Sequence, residues 1–151
     1  MQQVHFLQIW AQPSKSGLTP NYFTRHFTDA EKTDTLLTIV APVGAPGVTD
    51  DREGSGPTPV QSPVTLKATI LNPLKIVSHE FTGEGERKAY VHVVQTSGYN
   101  TKAGSGHTIS VNGQLELKEG DGAFAWGKAG EKLVIENVGE GQAEVLVFDI
   151  E

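Results

Sequence analysis

The chain has 151 residues, 37% of them hydrophobic, and sets 12 Lys and Arg against 18 Asp and Glu for a formal charge of −6. That length fits one domain with a single apolar core, and an acidic balance without basic runs argues against a nucleic-acid partner. The absence of cysteine excludes disulfides, thiol nucleophiles and thiolate metal sites, while no apolar run approaches the roughly eighteen residues of a membrane span and residues 1–10 lack a secretory pattern. The expectation is therefore a soluble, cytoplasmic protein with no membrane contact.

The 17 glycines and 8 prolines punctuate a series of short β-branched runs, the pattern of an all-β sandwich or barrel. In chain order the predicted strands are 6–11, 22–27, 35–40, 64–71, 75–81, 89–94, 108–111, 114–117, 123–126, 132–136 and 144–150; helix signals are nearly absent. Asn112-Gly113 is the strongest hairpin signal, because a type I′ turn needs positive φ at both central residues. Two segments read as long loops: 42–63, with the acidic tip Asp50-Asp51-Arg52-Glu53, and 96–106 around Tyr99. Low hydrophobicity alone accounts for the first as mobile surface.

The stretch RKAYVHVV over 87–94 carries the most informative histidine. On a strand, Tyr90, His92 and Val94 share one face and Val91 and Val93 the other, and either face could be interior. His92 is either a locally satisfied, partly buried side chain or an acid/base whose proton Tyr90 could share. His79 alternates with Val77 and Phe81 and could line the same cavity, or sit at a barrel rim; His26 lies in YFTRHF. Phe124 and Trp126 alternate with Ala123 and Ala125, which predicts a core pair, or the floor of a ligand pocket if that face is open. Glu119 and Asp121 flank a glycine and read as solvated turn formers; Asp149, between Phe148 and Ile150, is the more interesting carboxylate, with an edge salt bridge as its simpler role.

The run VNGQLELKEGDGAFAW followed by GEKLVIENVGEGQAEVLVFDI resembles the second half of a cupin, and the opening LQIWAQPSKSGLTPNYFTRHF resembles the start of the C-terminal cupin of pirin-like, quercetin 2,3-dioxygenase-like bicupins. The similarity runs over about 7–40 and 89–149. It implies a jelly-roll (RmlC-like) β-barrel with an extra N-terminal strand, here as one domain over 1–151 standing alone. The family's metal motifs imply a His-x-His and a Glu near 84–89, where this chain has no histidine and Ala89 stands about where the glutamate would, and a second histidine where this chain has Leu133, before Asn137. Leucine offers no donor, so neither a metal nor another cofactor is expected and the dioxygenase activity should not transfer.

Two function classes stay open. One is a metal-free cupin that binds a small organic ligand or a protein partner, with Trp126, Phe124 and His26 near the ligand. The other is a metal-independent isomerase, epimerase, cyclase or lyase in which His92, with Tyr90 or His79, moves protons. Because the first strands, within 1–27, run between the two cupins of a bicupin, their apolar residues predict a homodimer through the N-terminal strand.

Overall fold

The β-branched runs pair into two sheets, because each presents one apolar row that needs a facing partner. The computed structural model describes residues 6–96 and 107–150. Its elements are α1 (Asp29–Lys32), β1 (Leu37–Pro42), β2 (Thr58–Val60), β3 (Thr65–Leu71), β4 (Ile76–Glu80), β5 (Glu86–Val93), β6 (Thr108–Val111), β7 (Leu115–Lys118), β8 (Gly122–Lys128), β9 (Lys132–Asn137) and β10 (Ala143–Ile150). Six strands form one sheet in the order β2-β1-β3-β10-β5-β8, and four form the other in the order β4-β9-β6-β7. All named pairings are antiparallel except β1 with β2.

The core lies between the sheets. Leu71, Val91, Val93, Val145 and Val147 from the larger sheet meet Ile109, Leu133 and Ile135 from the smaller one, all with no exposed surface. Burial of each such side chain stabilises the fold by about 1.5–3 kcal/mol. The hairpin between β6 and β7 turns at Asn112 and Gly113, both at positive φ (51° and 65°), as its sequence requires. Asn112 also locks the turn to β9, its side-chain oxygen accepting from Val134 N at 2.8 Å.

Nine of the predicted strand runs have counterparts within one to three residues at each end, but the two earliest do not. Residues 6–11 and 22–27 form no strand, only an isolated bridge from Thr24 to Glu53. Aromatic and β-branched residues suit a pleated surface, but a strand also needs a ladder neighbour, which local composition does not supply. The extra N-terminal strand is therefore replaced by an extended segment, tied down where Ser14 N donates to Gln61 O at 2.8 Å.

Two further elements escaped the sequence reading. The loop 42–63 contains β2, and its acidic tip is pinned by Arg25, which donates to Thr49 O at 3.1 Å and Asp51 O at 3.0 Å. The one-turn α1 is set by a capping box, Thr28 accepting from Glu31 N while the Glu31 carboxylate accepts from Thr28 N. Apart from Thr96, the predicted loop 96–106 lies outside the described residues, as does His5.

Candidate functional site

Polar side chains enter the space between the sheets because four strands place a charged or imidazole residue in the inward row. Lys67 on β3, Arg87 on β5 and Asp149 on β10 come from the larger sheet, and His79 comes from β4 of the smaller one. The Lys67 ammonium lies 3.1 Å from His79 Nδ1. An ammonium has only donors, so Nδ1 accepts and the ring proton of neutral His79 sits on Nε2. That nitrogen is 3.1 Å from Asp149 Oδ2, off the line of a well-aligned hydrogen bond. Arg87 Nη2 donates to the other carboxylate oxygen at 2.8 Å.

His79 is 2% exposed and Asp149 5%, whereas Lys67 and Arg87 are partly exposed, so the cluster reaches solvent through its cations. Burial pushes the Asp149 carboxyl up, but the His79 ring N–H and the Arg87 guanidinium beside it outweigh burial and hold the group below the ordinary 3.8. Phe81 closes the apolar side, its ring 5.3 Å from His79 in an edge-on contact. Gly127 makes room for that ring, since a Cβ there would overlap Phe81.

Tyr90 and His92 point the other way. With Ala89, Val91 and Val93 in the core, they fall on the outer face of the six-stranded sheet, their rings near-parallel with centroids 6.3 Å apart. His92 and His79 therefore sit on opposite sides of the sheet and do not share a cavity. Phe124 and Trp126 are outside as well, 52% and 58% exposed, and the core expectation for them is corrected. The small side chains of Ala123 and Ala125 face inward instead, where they pack against the core. Lys88 lies 4.3 Å over the Phe124 ring, and Tyr90 packs beside Phe124 and Phe148. His26 is exposed on the extended segment and has no contact with these residues among those described.

The same outer face carries a groove. The extended segment passes over the sheet and encloses about 630 Å³ between Ile9, Trp10, Ala11 and Gln12 on one side and Val40, Leu66, Phe148 and Ile150 on the other, with Val60 and Ser62 to Val64 along the rim. Its lining is mostly apolar, with Gln12 and Ser62 as its polar side chains.

At the opposite end of the core, two polar residues that the sequence left in the background prove structural. Asn137 has no exposed surface; its amide donates to Leu71 O at 2.7 Å and Gly141 O at 2.8 Å and accepts from Gly139 N at 2.9 Å. Glu119 is not a solvated turn former: it is 8% exposed and accepts from Thr96 N and Oγ1 at 3.1 and 2.8 Å. Asp121 does hold the turn, accepting from Lys118 N.

Lys67 and Arg87 are the site residues that sequence reasoning missed. A faint signal existed in TLKATIL, where Thr65, Lys67 and Thr69 make one row polar while Leu66, Ala68 and Ile70 make the other apolar. That polar row turned out to face inward.

No family model matches the chain, and no curated protein does. Among solved structures it is similar to YhhW from Escherichia coli, with 20% identity and a TM-score of 0.65 over 92% of this chain and 47% of that one. A second structure, of bacterial pirin YhhW from Escherichia coli in complex with nickel(II), gives 20% identity and a TM-score of 0.64 over 91% and 47%. The chain spans about half the length of these two relatives.

The nickel in that relative raises the question of whether the residues here fit a divalent metal. They do not. Among the described residues no group of three or more His, Cys, Asp or Glu converges. Of two positions where the metal motifs would place donors, Leu133 is the register partner of His79 and Ala89 that of Asp149, and both are fully buried hydrocarbon. Where His79 and Asp149 meet, their flanks are held by an ammonium and a guanidinium, which repel a cation. The chain has the jelly-roll cupin fold, with a charged side-chain cluster between its sheets.

Proposed function

We propose that this chain is a metal-free cupin domain that binds a small apolar organic molecule on the outside of its six-stranded sheet. The observation that carries the reading is the groove of about 630 Å³ under residues 9–12, within the roughly 300–1,000 Å³ usual for small-molecule sites and lined as such sites are. Away from the charged cluster, by contrast, the space between the sheets is filled with close-packed apolar side chains. Trp10 forms one wall while 88% exposed, so its removal should disturb the groove without disturbing the fold. Titration with the neutral dye N-phenyl-1-naphthylamine should give saturable one-to-one binding, weakened about tenfold in Trp10→Ala, since truncating an aromatic anchor costs about 1–2 kcal/mol or more. Non-saturable binding, or equal affinity in the variant, would overturn the reading.

A second occupant of the same face is favoured by its exposed rings. Phe6, Ile9, Trp10, Phe124 and Trp126 are each about half exposed or more, an apolar surface of the kind that marks a protein interface. A homodimer built through residues 6–12 would cover it. Sedimentation across micromolar concentrations should then show association that Trp10→Ala weakens; a monomer throughout removes this reading and leaves the first intact.

A further inference from the structure

We propose that Lys67 is a carbonyl-reactive amine, with His79 as its proton acceptor and Asp149 and Arg87 as positioning residues, and that this end of the cupin core forms imines with small aldehydes or ketones. The arrangement is a nucleophile, a base and an orienting carboxylate in series. Lys67 Nζ lies 3.1 Å from His79 Nδ1, His79 Nε2 lies 3.1 Å from Asp149 Oδ2, and Arg87 fixes the second carboxylate oxygen at 2.8 Å. That series is the geometric signature of an activated nucleophile, and lysine is the nucleophile that acts on carbonyl carbon.

Three observations separate it from an ordinary buried ion cluster. Lys67 makes no ion pair among the described residues; its ammonium meets a neutral imidazole rather than a carboxylate. The carboxylate that would neutralise a lysine is placed instead on the far nitrogen of His79, where it stabilises an imidazolium once the proton has moved. Access is graded in the useful direction, with the base and its orienter buried and the amine at the partly exposed end.

The chemistry balances without a further reactant. His79 Nδ1 takes a proton from the Lys67 ammonium, and the freed Nζ lone pair attacks the carbonyl carbon as the C=O π pair moves onto oxygen. The oxygen takes the proton back from His79 to give a carbinolamine. Loss of the second Nζ proton, together with departure of the hydroxyl group as water, leaves the C=N bond. One amine and one carbonyl yield one imine and one water.

The site lies on the opposite side of the sheet from the groove, so its test is independent of the binding reading. Intact chain is treated with acetaldehyde and sodium cyanoborohydride at neutral pH, and the ethylation rate of each lysine is read by peptide mass mapping. Lys67 should be modified at least tenfold faster than the exposed Lys75 and Lys132. His79→Gln should slow Lys67 at least tenfold and Asp149→Asn should slow it less, both leaving the other lysines unchanged, an effect on one lysine that general loosening of the fold does not give. Modification in proportion to exposure, with Lys67 no faster than Lys75 and Lys132, overturns the proposal on the wild-type chain alone, even where a variant fails to fold. An unchanged Lys67 rate in His79→Gln removes His79 from its role and overturns the proposal equally.

Discussion

Replacing Asp149 with Asn keeps the shape of the side chain and removes the one carboxylate of the inner cluster. Its loss puts a neutral amide where the carboxylate lay 2.8 Å from the Arg87 guanidinium and 3.1 Å from the His79 imidazole. Breaking a buried pair by removing one partner costs about 3–5 kcal/mol, and because Arg87 retains some solvent contact and the amide oxygen can still accept one bond, the lower end applies, about 3 kcal/mol. Urea denaturation at pH 7 measures it directly. The pH dependence adds a second check with a fixed sign. The folded carboxyl titrates below its unfolded value of 3.8, so its stabilising contribution is fully present above that value and is lost as pH falls through the lower, folded value. The gap between wild type and Asp149→Asn should therefore narrow below about pH 4. A gap under about 0.5 kcal/mol at pH 7, the size of an ordinary surface substitution, would refute the reasoning, as would a gap that stays constant well into acid.

Two other positions make sharp tests. Asn137→Ala deletes three hydrogen bonds in a fully buried setting and leaves Leu71 O, Gly141 O and Gly139 N without that partner; at about 1–3 kcal/mol for each group left unsatisfied, partly relieved by water at the Gly139–Gly141 turn, chemical denaturation should show a loss of about 3 kcal/mol or more. Gly127→Ala drives a methyl group into the Phe81 ring. Overpacking of this kind costs about 1–3 kcal/mol, and calorimetry should show a Tm lowered by about 2–10 °C.

Most of the strands of this fold were legible because their signals are local. Each strand from 35 onward is a period-two run closed by a turn residue, and Asn112-Gly113, Gly120 and Gly130 all adopt the positive φ that such turns demand. The segments that failed, 6–11 and 22–27, have equally good local composition. What they lack is an adjacent strand edge, and adjacency is decided elsewhere in the chain. The α1 turn was legible in principle, since Thr28-x-x-Glu31 is a capping box, but a single turn carries too little periodicity to be seen beside eleven strand-like runs.

The site was harder to read for a reason specific to sheets. Alternation divides Lys88, Tyr90 and His92 from Arg87, Ala89 and Val91 without saying which row is inside. Hydrophobicity pointed the wrong way on β8, where Phe124 and Trp126 lie out and the alanines in. The cross-strand register resolves it: Ala89 sits opposite Ala125 on one side and Asp149 on the other, and Val91 sits opposite Ala123 and Val147. Small residues on β8 match the branched ones of β5 and β10 within one close-packed layer, and a second aromatic layer cannot fit in the same space. The row holding Ala89 and Val91 must be inside, and Arg87 and Asp149 are carried in with it by the same period of two. Buried there, they need partners, and His79, facing them from the other sheet, brings Lys67 into the cluster. The charged cluster thus follows from the choice of apolar layer, and for that reason no single stretch of sequence announces it.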